Sequence, residues 1–146
     1  TLDGANIEIA EEVGLDNIFI FGLTAKEVKE LKKRGYNPRE YYERDPELRQ
    51  ALDMINNDYF NRNEPGIFQF LFQNVVLYSD HYCLLADYRS YVDTQTRVGE
   101  LFKDQEGWTR RSIINTARSG RFSSDRTIRQ YAEEIWKVKP VVIPDE

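Results

Sequence analysis

The chain is 146 residues long, 40% apolar and 31% charged, enough for one sizeable core in an ordinary globular domain. Its 9 Tyr, 8 Phe and 2 Trp argue against intrinsic disorder, and a net charge of -5 provides no basic field for a nucleic-acid backbone. The single cysteine, Cys83, rules out an internal disulfide and fits a reducing compartment. No apolar run reaches the length of a membrane span and no basic-then-apolar leader opens the chain, so no membrane partner and a cytoplasmic location are expected. The chain begins at Thr1, without an initiating Met and inside what reads as a structured element, which leads us to expect a piece of a longer protein.

In chain order, Asp3 is placed to cap a short helix carrying Ile9, Ala10 and Val13, which Gly14 can end. Asn17-Ile18-Phe19-Ile20-Phe21-Gly22 is an unbroken β-branched and aromatic run with turn residues at both ends. It reads as a strand buried on both faces, as in a parallel sheet. Such a strand needs lateral partners, and nearly everything after Thr24 carries helical periodicity, so the sheet is expected to come from polypeptide outside this chain. Thr24 and Glu27 form a capping box for a helix from Ala25 to about Arg34, buried through Val28 and Leu31 and stopped at Gly35.

Asn37-Pro38 and Asp45-Pro46 each put a capping residue before a proline suited to the first helical position. The second of these helices should run from Pro46 to about Phe60, with Leu48, Leu52, Ile55 and Tyr59 on one stripe. A polar turn, 61–66, precedes a helix from Ile67 to Tyr78 that carries Phe68, Leu71, Phe72, Val75 and Val76. Residues 82–86 fit either a short strand or a buried connector. Asp87 is expected to cap a helix to about Lys103, and Trp108 to open another that ends at Gly120. The last helix follows Ser123-Ser124-Asp125 and aligns Ile128, Tyr131, Ala132, Ile135 and Trp136, with Lys137 and Lys139 suiting its C-terminal dipole and Pro140 preventing its continuation.

Several of these stretches carry more information as wording than as periodicity. Thr1-Leu2-Asp3-Gly4-Ala5-Asn6-Ile7-Glu8-Ile9, the run from Asn17 to Gly22, Arg34-Gly35-Tyr36-Asn37 with Glu40-Tyr41-Tyr42, and Ser119-Gly120-Arg121-Phe122-Ser123-Ser124-Asp125-Arg126-Thr127-Ile128 with Tyr131-Ala132 and Ile135-Trp136 resemble the C-terminal end of glycogen and other α-glucan phosphorylases. The resemblance spans nearly the whole chain, in order and with compatible spacing. It implies an α/β fold: the C-terminal part of a Rossmann-like domain in a two-domain glycosyltransferase of the GT-B type, here predominantly helical with one or two strands. Residues 1–35 would be the last helix-strand-helix unit of the cofactor domain, 36–140 a helical C-terminal segment and 141–146 a tail.

The implied activity is transfer of the terminal α-1,4-glucosyl unit of a glucan to inorganic phosphate, giving glucose 1-phosphate. The implied cofactor is pyridoxal phosphate, attached at a lysine outside this chain. The partners implied are the α-glucan, phosphate and the remainder of the phosphorylase chain, with a homodimer admitted. No catalytic residue of the family matches a position here, so the piece alone is expected to be inactive. The alternative is a non-catalytic helical interaction module derived from the same fold.

Asp3, Gly4 and Asn6 form a polar turn which, by the resemblance, lies near the cofactor, so a supporting role competes with plain helix capping. Ser124 and Arg126, amid Arg110, Arg111, Arg118, Arg121 and Arg129, could hold an anion at a helix start; ion pairing is the stronger expectation, because Asp125, Glu133 and Glu134 already balance the charge. His81 and Cys83 are too few ligands for a metal and read as structural. Glu11-Glu12 and Glu133-Glu134 diverge around a helix and suit solvent.

Overall fold

The computed structural model describes residues 4–139 and 141. Eight α-helices are present among them: α1 (Ala5–Val13), α2 (Ala25–Arg34), α3 (Pro38–Arg44), α4 (Pro46–Asn56), α5 (Gln69–Phe72), α6 (Leu84–Lys103), α7 (Gln105–Arg118) and α8 (Ser124–Gln130). Two of them continue as π-helical turns, α5 through Gln73–Tyr78 and α8 through Tyr131–Trp136.

Local chemistry explains the helix starts. Thr24 accepts from the Glu27 backbone N–H while Glu27 Oε2 accepts from the Thr24 N–H at 2.8 Å, the reciprocal box expected from the sequence. Asn37 accepts from the Arg39 N–H, and Asp45 accepts from those of Glu47 and Leu48, each before a proline with no N–H to leave orphaned. Hydrogen bonds donated by the Thr24 backbone N–H and hydroxyl hold the Glu27 carboxyl below its usual value of 4.5. A carboxyl lowered in the folded state stabilises above its unfolded pKa and loses that contribution as pH falls through the folded one. We therefore expect Glu27→Gln to matter above about pH 5 and to become neutral in strong acid, as read from urea unfolding at a series of pH values.

The core lies where α3, α4, α5 and α6 meet. Leu48, Leu52, Phe72, Val76 and Leu85 are buried together, with Tyr41, Tyr42, Ile55, Val75 and Tyr88 packed around them. Leu48 and Leu52 stand one turn apart on α4, as its period required. The second half of α6 packs on α7, and α7 packs on α1 and the turn after it, so α6 joins the two halves. Arg89 on α6 reinforces the first half, with Nε on Asp45 Oδ2 at 2.7 Å and Nη2 on Glu47 Oε2 at 2.5 Å.

The expected strand from Asn17 to Phe21 is corrected: no strand forms among the described residues. Leu15–Asn17 makes a 3-10 turn, and Ile18 enters extended geometry at φ -134° and ψ 143°. The extended stretch has no described neighbour offering a backbone ladder, and without a ladder an extended chain is not a sheet. What holds it is side-chain chemistry at its ends. Asn115 Nδ2 donates to the Asn17 carbonyl at 2.9 Å. Ser90 Oγ accepts from Gly22 N–H at 2.9 Å, and Asp87 Oδ1 accepts from Leu23 N–H at 2.8 Å.

The second strand candidate, 82–86, is also corrected, because α6 already begins at Leu84. Asp80 reaches forward to accept from the Leu85 N–H at 2.8 Å and so serves as the cap expected of Asp87. Cys83 takes a left-handed conformation, φ 56°, to let the chain turn into the helix. α4 stops at Asn56 rather than Phe60, because Asp58 adopts φ 58° and turns the chain out. α7 starts earlier than Trp108, at Gln105, with Asp104 accepting from the Gly107 N–H at 3.0 Å.

A large apolar surface stays uncovered. On α8 and its continuation, Ile128, Ile135 and Trp136 are 54%, 64% and 54% exposed, although their spacing is that of a packed face. Among the described residues this terminal helix packs chiefly on the Ser119–Phe122 turn, and Lys137 at φ 54° ends it. Phe70, Leu77 and Leu84 are likewise exposed beside the core.

Candidate functional site

The first candidate turn is only partly in view. Asp3 lies outside the described residues, and the N-cap position of α1 is occupied by Gly4 at φ 48° and ψ -132°. Gly4 is exposed, and a Cβ added to it would meet nothing within 4 Å. Its carbonyl accepts from the Ile7 N–H at 3.1 Å, and half-buried Asn6 sits on the first turn.

The far end of α1 is gripped by α7. Arg111, Asn115 and Arg118, spaced by four and three, project from one face of that helix. Arg118 Nη1 donates to the Val13 carbonyl at 3.2 Å and the Glu12 carbonyl at 3.4 Å. Arg111 Nε donates to the Asp16 carbonyl at 2.9 Å, and Asn115 completes the row on Asn17. Arg121 adds an ion pair to Glu12 at 2.7 Å. A guanidinium over the last carbonyls of a helix answers both orphan acceptors and the negative end of the dipole.

Ser124 and Arg126 sit on the same turn, but the Arg126 guanidinium is already engaged. Its Nε donates to the Arg121 carbonyl at 2.6 Å and its Nη1 to Gln130 Oε1 at 3.1 Å. Ser123, the N-cap residue, makes no side-chain capping bond. The structure thus brings Ser124 and Arg126 together without adding Arg111 or Arg118, which face α1.

His81 and Cys83 part company. His81 is exposed, with Nε2 2.8 Å from Ser79 Oγ, whereas Cys83 is fully buried and burial raises its thiol pKa. A thiol held protonated is a poor nucleophile. Among the described residues no group of three or more His, Cys, Asp or Glu is placed to hold a metal ion. No described helix is long and apolar enough to cross a membrane.

Two buried carboxylates escaped the sequence reading as organising groups. Asp80 accepts from Tyr36 Oη at 2.8 Å, tying the connection between α2 and α3 to the start of α6; burial and this bond hold the phenol far above its ordinary value. Asp87 holds the Gly22–Leu23 backbone. The only sequence signal for Asp80 was a carboxylate just ahead of Leu84-Leu85, and nothing local marked Asp87's distant partner.

Every lysine in the chain, Lys26, Lys29, Lys32, Lys33, Lys103, Lys137 and Lys139, is exposed. None stands in the enclosed apolar pocket that would lower an amine's pKa for covalent attachment of an aldehyde cofactor. These residues by themselves do not fit pyridoxal phosphate.

A family model for carbohydrate phosphorylases matches residues 1–138. The chain is 52% identical over 143 residues to a glycogen phosphorylase of Synechocystis sp., covering 98% of this chain and 17% of the relative. To the muscle form of glycogen phosphorylase from Rattus norvegicus it is 47% identical over 150 residues, covering 100% of this chain and 18% of that one. To the brain form from Bos taurus it is 49% identical over 140 residues, covering 96% and 16%. The chain spans under a fifth of the length of these curated relatives. With a match running almost end to end and identity near one half, this chain belongs to the carbohydrate phosphorylase family.

Proposed function

We propose that this chain is the C-terminal part of an α-glucan phosphorylase, a cytoplasmic glycosyltransferase that moves the terminal α-1,4-glucosyl unit of a glucan to inorganic phosphate and releases glucose 1-phosphate. The observation that carries the reading is the match over residues 1–138 to a family whose members are several times longer. Pyridoxal phosphate is held by a lysine elsewhere in the complete polypeptide, consistent with the exposure of every lysine here. No chemical step is assigned to the residues of this chain.

Its role in that reading is architectural. Residues 1–35 complete a Rossmann-like domain of GT-B type, 36–140 form the helical segment that braces it and 141–146 are a tail. The extended stretch after Asn17, lacking a ladder among the described residues, fits a strand that pairs with polypeptide outside this chain. The turn of Asp3, Gly4 and Asn6 supports the cofactor region from behind. The arginines of α7 and the turn after it fasten α1, and Ser124 and Arg126 lie outside any substrate site; sulfate bound to both in crystals of the complete protein would contradict that assignment. Self-association as a homodimer is compatible with this arrangement.

The test compares two proteins in one assay. The complete polypeptide supplied with phosphate and maltodextrin is expected to release glucose 1-phosphate, and residues 1–146 alone to release none. Turnover by the isolated chain would overturn the division of labour. Absence of turnover in the complete protein, with its fold intact, would favour the interaction-module alternative.

A further inference from the structure

Between α7 and the extended stretch after Asn17 lies a hollow of about 400 Å³, within the size range of small-ligand sites. Ile18 and Phe19 line it from the extended side, and Trp108, Arg111, Ser112 and Asn115 line it from one face of α7, at spacings of three and four. The half-buried Trp108 ring is held edge-on to Phe102, centroids 5.1 Å apart. Asn115 is fixed by its amide, which donates to the carbonyls of Asn17 and Arg111 at 2.9 and 3.0 Å. The walls are therefore built before any ligand arrives.

Arg111 is the residue that calls for a ligand. It is half-buried, and its Nε and Nη1 donate to the neutral carbonyls of Asp16 and Gly107 at 2.9 and 3.3 Å. Among the described residues no carboxylate forms an ion pair with it, whereas Arg39, Arg89, Arg110 and Arg121 each have such a partner. A guanidinium withdrawn from water without a counter-charge favours an anion beside it. Its planar fork suits a carboxylate, and the Ser112 hydroxyl adds a donor on the same turn. The aromatic and aliphatic walls demand something else, because a bare inorganic anion would leave them wet. One negative charge joined to a flat ring answers both demands.

We propose that this hollow binds a small aromatic monocarboxylate, its carboxylate on the Arg111 fork and its ring against Phe19 and Trp108. The site is built from this chain alone and does not depend on the phosphorylase reading. It adjoins the joint where α7 grips the exit of α1, so occupancy tightens that joint.

The test uses the complete protein with 2-naphthoate as probe, 2-naphthamide as its uncharged counterpart and inorganic phosphate as competitor. Calorimetry is expected to show the naphthoate bound about tenfold or more tightly than the amide. Hydrogen exchange is expected to slow over residues 15–19 and 108–116 when naphthoate is added, and phosphate to displace it only weakly. Arg111→Met is expected to weaken binding about ten- to thirtyfold. Ser112→Phe, which fills the hollow and leaves the bonds of Arg111 in place, is expected to abolish it. Absence of naphthoate binding, equal binding of acid and amide, unaltered exchange over both segments or undiminished binding by Ser112→Phe would each overturn the site. Displacement by phosphate at equal strength would overturn the ring's part in it. None of these results bears on glucose 1-phosphate release by the parent, which tests the phosphorylase reading separately.

Discussion

Truncating Trp136 to alanine is expected to cost about 3 to 5 kcal/mol of local stability in the complete protein and under about 1 kcal/mol in the isolated chain. In the chain alone the indole packs on the edge of Tyr131, ring centroids 5.8 Å apart, and more than half of it is exposed. Yet Ile128, Ile135 and Trp136 repeat at the spacing of a buried face, and an amphipathic helix exposed on its apolar side is unstable in water unless something covers it. In the proposed reading, that cover is the remainder of the phosphorylase polypeptide. Native-state hydrogen exchange over Ser124–Trp136 is the suitable measurement, since a large multidomain protein does not unfold in one step. An equally small loss of protection in both proteins would mean that this face is never covered.

The second large effect is expected at Gly22. Its φ of 84° lies in the left-handed region, and a Cβ there would stand 2.5 Å from Asp87 Oδ2, the carboxylate that holds the adjacent Leu23 N–H. Gly22→Ala therefore combines backbone strain with displacement of a buried acceptor, for a loss of about 2 to 4 kcal/mol in urea unfolding. In an Asp87→Ala background the clash is gone, and the same substitution should cost only the strain, about 1 kcal/mol. Equal costs in both backgrounds would show that the carboxylate is not the obstacle.

The contrast between these two positions shows what could be read from the chain. The Thr24–Glu27 box, the caps before Pro38 and Pro46 and the Leu48–Leu52 stripe were legible because each is written within four residues of itself. Asn17–Phe21 was legible as an extended apolar segment but not as its outcome here, because a strand is a relation between segments and its partner is not among the described residues. Asp87 had the right type and place for a cap, yet its acceptor serves a backbone 64 residues away. The arginines read in sequence as ion-pairing residues first and an anion site second; their backbone partners, the carbonyls of residues 12–16, went unseen because they lie about a hundred positions upstream. Early termination of α4 depended on Asp58 adopting a left-handed turn, which no residue-type preference demanded.

The clasp formed by Arg111, Asn115 and Arg118 has an evolutionary corollary. It grips peptide oxygens, which all twenty amino acids possess, so the three side chains themselves read no sequence, although Glu12 in its ion pair with Arg121, buried Val13 and left-handed Gly14 are constrained by other contacts. A change at exposed Asp16, held through its carbonyl, is therefore expected to leave the joint intact provided the three long side chains opposite are kept.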